Sequence, residues 1–150
     1  MEIYDASGNR IYYEREPVRY ADFWQRVGAY FLDFLIILIP LHAVEWLILG
    51  PKWSGNRVSI LIIDITARWL YDALQESGPY MATFGKRALG LKVTDMHGHR
   101  ITFGQATGRH FGKFISGLLI GIGYFMMLWD DKRQNLHDKM AGTLVLQRQE

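Results

Sequence analysis

The feature that most constrains this chain is a run of 23 mostly apolar residues, 27–49, directly after Arg26. An α-helix rises about 1.5 Å per residue, so roughly 20 apolar residues suffice to cross the hydrocarbon core of a bilayer. Two acids, Asp33 and Glu45, interrupt the run. A carboxylate at bilayer depth costs about 2.5–3.5 kcal/mol on insertion scales, so each must face protein, water or a cation. The run therefore predicts a membrane-spanning helix with a carboxylate inside it.

Arg26 and Asp33 are seven residues apart, which is close to two helical turns, so both side chains leave the same face of this helix. The spacing predicts a cation at the mouth of the helix and a carboxylate about two turns inside. Asp22 is placed to cap the helix N-terminus. Pro40 predicts a kink or a break toward a less regular second half.

A second apolar block, 58–74, is long enough for a short membrane span and carries three charges at four-residue spacing, Asp64, Arg68 and Asp72. Residues four apart lie on one stripe of a helix, and the acid-then-base order of Asp64 and Arg68 is the favourable one. In a membrane these charges would face the bundle interior and pair with each other or with the first helix. The alternative is a surface helix of a soluble protein with solvated salt bridges. The strongly apolar runs 34–39 and 58–63 make this alternative less favourable.

A third apolar block, 111–129, comes next, and glycines recur before and within it at 104, 108 and 112, then at 117 and 121. Small residues at four-residue spacing let membrane helices approach closely. Nineteen residues fit one crossing, but a re-entrant hairpin that turns near glycines 121 and 123 is the other interpretation, because such backbone is tolerated where protein buries it. Those last two glycines could equally be simple helix breaks.

The distribution of Lys and Arg predicts the orientation of these segments. The N-terminal part to Arg26 has four, the loop 50–57 has two, the stretch 75–112 has five and the tail from Asp130 has four. The first loop is therefore expected outside, with both termini and the middle stretch in the cytoplasm of the cell. An even number of crossings in the third block would agree with this.

Alternating residues 91–94 and 100–103, joined by the turn 95–99, predict a cytoplasmic β-hairpin. The short strand 143–146 needs a partner, and this hairpin is the expected one. The fold class is then an α-helical membrane protein with two spanning helices, a third membrane segment and a small cytoplasmic sheet. Residues 1–19 form an N-terminal arm, 20–146 the membrane domain and 147–150 a tail.

Composition excludes some functions. Net charge is only +2 and the chain has no cysteine. No basic run of five or more exists, so nucleic acid is not an expected partner. The N-terminus lacks the pattern of a cleavable signal peptide. Thr83, Gly85 and Lys86 suggest a phosphate loop, but the required upstream glycine is missing.

Four segments together resemble the RDD family of small bacterial membrane proteins, named for one arginine and two aspartates. They are YADFWQRVGAYFLDFLIIL at 20–38, LYDALQES at 70–77, TFGKRALGLKVTDMHGHRI at 83–101 and RQNLHDKMAGTLV at 133–145. The resemblance identifies Arg26 and Asp33 as the name-giving arginine and first aspartate, and Asp138 as the second. It implies a multi-pass protein of the inner membrane without an assigned general function, for which ligand transport or sodium–proton antiport has been suggested. Asp64, Arg68 and Asp72 are not part of that pattern.

Two functions follow as hypotheses. In the first, an oligomer of this chain moves a monovalent cation or a proton, with Asp33 as the exchange site, Arg26 as its competing internal cation, and Asp64 and Asp72 as secondary ligands. In the second, the chain is a binding or scaffold module, and the same charges, together with Asp138, pin helix register. No enzyme activity, cofactor or metal is expected, because no nucleophile is evident and the histidines lack zinc-ligand spacing.

Overall fold

The computed structural model describes residues 18–50, 57–119 and 122–148. The predicted N-terminal arm lies almost wholly outside these residues, as does most of the first loop. The described helices are α1 (Phe23–Leu49), α2 (Arg57–Glu76), α3 (Phe84–Ala88), α4 (Phe103–Leu118), α5 (Ile122–Phe125) and α6 (Leu136–Ala141). Two strands, β1 (Leu91–Asp95) and β2 (Thr143–Gln147), complete the fold, and a 3₁₀ turn, Met126–Leu128, directly follows α5.

Helix α1 begins as predicted, at a cap made by Asp22. The Asp22 carboxylate accepts from the Gln25 N–H at 2.8 Å, and the Gln25 side chain accepts in return from the Asp22 N–H at 3.0 Å. This reciprocal pair satisfies two donors that a helix start leaves free. Of the two outcomes predicted at Pro40, a kink or a break, the break is wrong, because α1 continues through Pro40 to Leu49.

Helix α1 is the part of the described chain that is long and apolar enough to cross a membrane by itself. Many of its apolar side chains are exposed, for example Trp24 and Leu47, each at 77%. Helix α2 occupies the predicted second block, but Asp64, Arg68 and Asp72 make it too highly charged to qualify as a membrane span by length and composition. For α2, the predicted span therefore rests on the sequence alone.

The third apolar block is not one straight helix. Helix α4 starts at Phe103, before the predicted block, and its axis makes an angle of 115° with the segment Ile122–Leu128. Together the two pieces could be a broken span or a re-entrant segment. Gly121 lies outside the described residues. Gly123 sits directly against α4, where a Cβ would come within 2.8 Å of the Ser116 Cβ.

The predicted β-hairpin is only half right. β1 pairs antiparallel with β2, from Leu91 opposite Gln147 to Asp95 opposite Thr143, which confirms the predicted partnership with the C-terminal strand. The second hairpin strand reduces to a single bridge between Thr94 and Arg100. The cause is local: Thr102 and the side chain of Gln105 form a second capping box, so the chain turns into α4 instead of extending.

A small apolar core lies between the sheet and the helices. Leu91, Val93 and Val145 of the sheet are almost fully buried, and so are Ile101 and Ala106 beside the start of α4. Helix α4 packs against α6 and α2, while α3 packs against α1. This arrangement brings the start of α1, the end of α2, the first half of α4 and all of α6 to one end of the molecule, where the buried charges lie.

Candidate functional site

Asp33 is 2% exposed and is held by three neutral donors. Its carboxylate accepts from the Tyr71 hydroxyl at 2.7 Å, the Thr83 hydroxyl at 2.6 Å and the Gly85 N–H at 2.7 Å. Thr83 also caps α3, so the carboxylate of α1 is fixed to the first turn of that short helix. The Thr-x-Gly segment is therefore a clamp on Asp33, which agrees with the rejection of a nucleotide loop.

Only glycine fits at position 85. A Cβ there would come within 2.2 Å of the Ala29 carbonyl oxygen and 2.9 Å of the Asp33 Oδ1 atom. Its absence lets the backbone of α3 approach α1 closely enough for the N–H of Gly85 to reach the carboxylate.

A second feature is the ion-pair chain, which we define as five alternating charged side chains from α1, α2, α3, α4 and α6. Arg109 lies at its centre: Nη2 donates to Asp138 Oδ1 at 2.6 Å and Nη1 donates to Glu76 Oε2 at 2.8 Å. Arg26 pairs with the other oxygen of Asp138, and Lys86 pairs with the other oxygen of Glu76. Arg109, Glu76 and Asp138 are each at most 2% exposed.

Two groups on α6 have perturbed pKa values. Burial alone would raise the pKa of Asp138, but the charges of Arg26 and Arg109 hold it well below its usual range. Burial lowers the pKa of His137 to about 3, although the neighbouring Asp138 charge opposes this. At neutral pH Asp138 is therefore ionised and His137 is neutral.

The third feature is the Asp72 cluster, formed by Asp72, Arg68, His110 and Lys113. Lys113 Nζ donates to Asp72 Oδ2 at 2.7 Å, and His110 Nδ1 lies 3.1 Å from the same oxygen. Arg68 Nε is 3.6 Å from Asp72 Oδ1, so its contact is looser. This cluster joins α2 to α4 in the way that the ion-pair chain joins α2, α4 and α6.

Asp64 belongs to neither group. Within the described residues it forms no ion pair with Arg68, and its buried Oδ1 atom has no hydrogen-bond partner. It lies instead near the second half of α1, where the ligand atoms of His42, Glu45 and Asp64 are within 4.8 Å of one another. These three side chains could approach one cation, although the His42 side chain is 50% exposed and already contacts Glu45 at 2.8 Å.

A cavity of about 480 Å³ lies against the charged groups. Five cationic side chains line it, Arg26, Arg68, Lys86, Arg109 and Lys113, with Asp33 and Asp72 as the acids. The apolar part of its wall includes Phe23, Val27, Phe125 and Met127. This size is ordinary for a small-ligand site, and a mostly apolar wall with a few converging polar groups is the usual composition of one.

The structure brings five of the six predicted site residues to this cavity and its network: Arg26, Asp33, Arg68, Asp72 and Asp138. Their partners agree with the prediction only in part. Arg68 pairs with Asp72 as predicted, but within the described residues it does not pair with Asp64. Arg26 pairs with Asp138 instead of Asp33. Arg26 and Asp33 nevertheless face the same cavity, as their seven-residue spacing predicts.

Sequence reasoning missed Arg109, the most central residue, and did not place Glu76, Lys86 or Lys113 in the site. One signal was available: Arg109 and Lys113 stand four residues apart at the entry of an apolar block, so they share a face that lipid would not accept. His110, between these two residues in sequence, is buried beside Asp72.

Comparison with known proteins places this geometry in a family. A model of the RDD family matches residues 20–142. The uncharacterized protein YxaI of Bacillus subtilis (strain 168) is 30% identical over 146 residues, covering 84% of this chain and 96% of the relative. The uncharacterized membrane protein YteJ of the same organism is 30% identical over 146 residues, covering 85% and 80%. The proline-rich antigen homolog of Mycobacterium tuberculosis (strain ATCC 25618 / H37Rv) is 35% identical over 98 residues, covering 64% and 41%.

No solved structure matches the chain significantly. A relative that is itself named a membrane protein agrees with the exposed apolar surface of α1 and suggests a membrane location. The family match spans the clamp on Asp33, the Asp72 cluster and every member of the ion-pair chain. By this match, the chain belongs to the RDD family.

Proposed function

We propose that this RDD-family protein is a membrane-embedded binding module in which the buried charges are structural and frame the cavity. The observation that carries the proposal is the position of Arg109. Its buried guanidinium holds a carboxylate of α2 on one side and a carboxylate of α6 on the other. Groups fixed in this way set the relative position of helices, which is the best-attested use of buried ionic contacts.

The proposal includes a location in the inner membrane, with more than one crossing and both termini in the cytoplasm. The low count of Lys and Arg in the loop 50–57 supports this orientation. So does the pairing of β1 with β2, because strands that share backbone hydrogen bonds must lie on one side of the bilayer. Lipid would then cover the exposed apolar side chains of α1.

Variants of one pair test the structural role. Removing one partner of a buried ion pair strands the other charge, at a cost of about 3–5 kcal/mol. We expect Arg26→Gln and Asp138→Asn each to lower the yield of folded protein and its unfolding midpoint in detergent. The double variant should recover part of the loss in yield and midpoint. The recovery should be incomplete, because Arg109 still lacks the Asp138 carboxylate. Lys132→Gln, an exposed charge change, is the matched control. Strictly additive losses in the double variant would contradict the proposal.

A second candidate function is exchange of a monovalent cation or a proton at Asp33. One observation favours it: this buried carboxylate lines the cavity, and within the described chain it has no Lys or Arg partner within 4.0 Å. Arg26 faces the same cavity and would be the competing internal cation. Because three apolar segments enclose little volume, the pathway would need several copies of this chain, as a homo-oligomer.

Ion flux distinguishes this candidate. Purified protein in proteoliposomes should show sodium or lithium flux that depends on pH, and Asp33→Asn should abolish it. Asp130→Asn, a change on the polar segment before α6, should leave the flux intact. A measured flux that Asp33→Asn does not alter would remove Asp33 as the exchange site.

We propose no catalytic activity. The structure does bring a hydroxyl to the histidine of α6, with Ser116 Oγ 3.3 Å from His137 Nδ1. However, Ser116 is fully buried and its hydroxyl already donates to the Gly112 carbonyl at 3.0 Å. A nucleophile must reach its substrate, and this one is enclosed by α4, α5 and α6.

A further inference from the structure

We infer that the cavity binds the phosphate headgroup of an anionic membrane lipid, with part of its apolar body against Phe23, Val27, Phe125 and Met127. The inference rests on the proposed function, since it names the ligand of that binding module. It follows from charge, from unused hydrogen-bond donors and from the position of the cavity beside the exposed apolar surface.

The first argument is the balance of charge at the cavity. Five cations line it, and the carboxylates that contact or face them are four, namely Asp33, Asp72, Glu76 and Asp138. Asp64, one turn from Arg68, forms no ion pair with it in the described structure and leaves its buried Oδ1 without a partner. Five cations therefore meet four paired or facing carboxylates at a largely buried site, and an anion bound there would compensate the fifth positive charge.

Unused donors are the second argument. The Arg26 side chain is nine-tenths buried. Its Nη1 atom donates to Asp138 and its Nη2 atom to the Arg133 carbonyl, but its Nε–H has no partner among the described residues. Among the described residues, the guanidinium of Arg68 has a single ion-pair contact, 3.6 Å to Asp72, and it lies 4.8 Å from the centre of the Tyr30 ring. Planar guanidinium groups are well matched to phosphate oxygens.

The third argument distinguishes a lipid from a soluble anion. The aromatic ring of Phe23 stacks on that of Phe125 at 5.7 Å, so the apolar wall joins the start of α1 to α5. On the outside of the same elements Trp24, Leu128 and Trp129 are 77%, 61% and 67% exposed. A free phosphate would make no use of this wall, whereas a lipid could reach the cations from the bilayer and place apolar atoms along it.

The test uses the full chain in a neutral detergent and follows its unfolding midpoint. The added probes are phosphatidylglycerol, phosphatidylcholine with the same acyl chains, and inorganic phosphate. We expect phosphatidylglycerol at saturating excess to raise the midpoint by roughly 5 °C, because a ligand that binds only the folded state stabilises it. Phosphatidylcholine and inorganic phosphate should not. Equal responses to the two lipids, or a full response to inorganic phosphate, would overturn the inference.

Arg68→Gln should remove the response to phosphatidylglycerol, because it deletes a guanidinium that we expect to contact the phosphate. Arg68 is the best position for this test, since it lies outside the ion-pair chain and has the loosest contact in the site. Arg87→Gln is the matched control: Arg87 stacks 3.8 Å above the Tyr80 ring, is not among the cavity residues and should keep the full response. An unchanged response in Arg68→Gln contradicts the inference. If Arg68→Gln does not fold, native mass spectrometry of the unaltered protein decides, since bound phosphatidylglycerol must survive where phosphatidylcholine does not. If the lipid test fails but the Arg26→Gln, Asp138→Asn double variant still recovers part of the loss of the single variants, the lipid inference is wrong and the structural role of the buried charges stands.

Discussion

Arg109 Nη2 and Asp138 Oδ1 lie 2.6 Å apart, with side-chain exposures of 2% and 0%. The two residues are 29 positions apart in sequence, and each holds a further partner, Glu76 for Arg109 and Arg26 for Asp138. Neither charge has access to water, so each depends on the other for its solvation. This pair is the point at which α1, α2 and α6 are joined through α4.

Replacing Arg109 by methionine is therefore the most damaging single change that we predict. It leaves two buried carboxylates without their shared cation, and we expect a loss of about 3–5 kcal/mol in the free energy of unfolding. Thermal or denaturant unfolding in detergent measures it. The control Arg87→Met removes only a contact with aromatic rings and should cost about 1 kcal/mol or less. Similar losses for the two variants would show that the ion-pair chain is not a stabilising unit.

Alanine at position 85 should also be strongly destabilising. Its Cβ would lie 2.2 Å from the backbone oxygen of Ala29, so α3 must move away from α1 and release Asp33. We expect a loss of roughly 2–4 kcal/mol, the range of an overpacked contact plus a lost charged hydrogen bond. Gly108→Ala is the matched control, because a Cβ added at this position would meet no neighbouring element within 4 Å in the described part of the chain. That helical position should gain up to about 1 kcal/mol.

Removing the hydroxyl of Tyr71 tests the clamp on Asp33 from its other side. Tyr71→Phe deletes the 2.7 Å hydrogen bond to Asp33 Oδ1, and hydrogen bonds to charged groups contribute about 1.5–3 kcal/mol. We therefore expect the free energy of unfolding to fall by about 1.5–3 kcal/mol, which a lower unfolding midpoint in detergent would show. Tyr80→Phe, which alters a 53% exposed residue, should change little. A midpoint unchanged by Tyr71→Phe would mean that solvent replaces the hydroxyl at Asp33.

Stability should fall with acidity because of His137. Its pKa is about 3 in the folded protein and about 6.5 in an unfolded chain, so the unfolded state binds the extra proton between these values. Its contribution is complete above about pH 6.5 and is lost toward pH 3, by at most about 1.4 kcal/mol per pH unit. Asp138 adds a further loss below about pH 4, where an unfolded aspartate protonates. Unfolding midpoints from pH 7 to pH 4 measure the slope, and His137→Gln should flatten it between pH 6 and 4.

The sequence by itself determined the local features of this protein. The apolar run after Arg26 predicted α1, and Asp22 predicted its cap. Such features depend on residues within about one helical turn, so a single sequence contains all the information. The same holds for the common face of Arg26 and Asp33, since helical periodicity fixes it.

Only the tertiary structure decided which charges meet. Arg26 could equally have paired with Asp33, and it is instead joined to Asp138, 112 residues later. Local spacing offers several partners of nearly equal energy, and the choice among them depends on how α3, α4 and α6 pack against α1 and α2. The lost hairpin strand has a similar origin, because the cap at Thr102 started a helix where alternation alone predicted a strand. Pairing across such distances is a property of the assembled fold, where desolvation makes every unmatched charge costly.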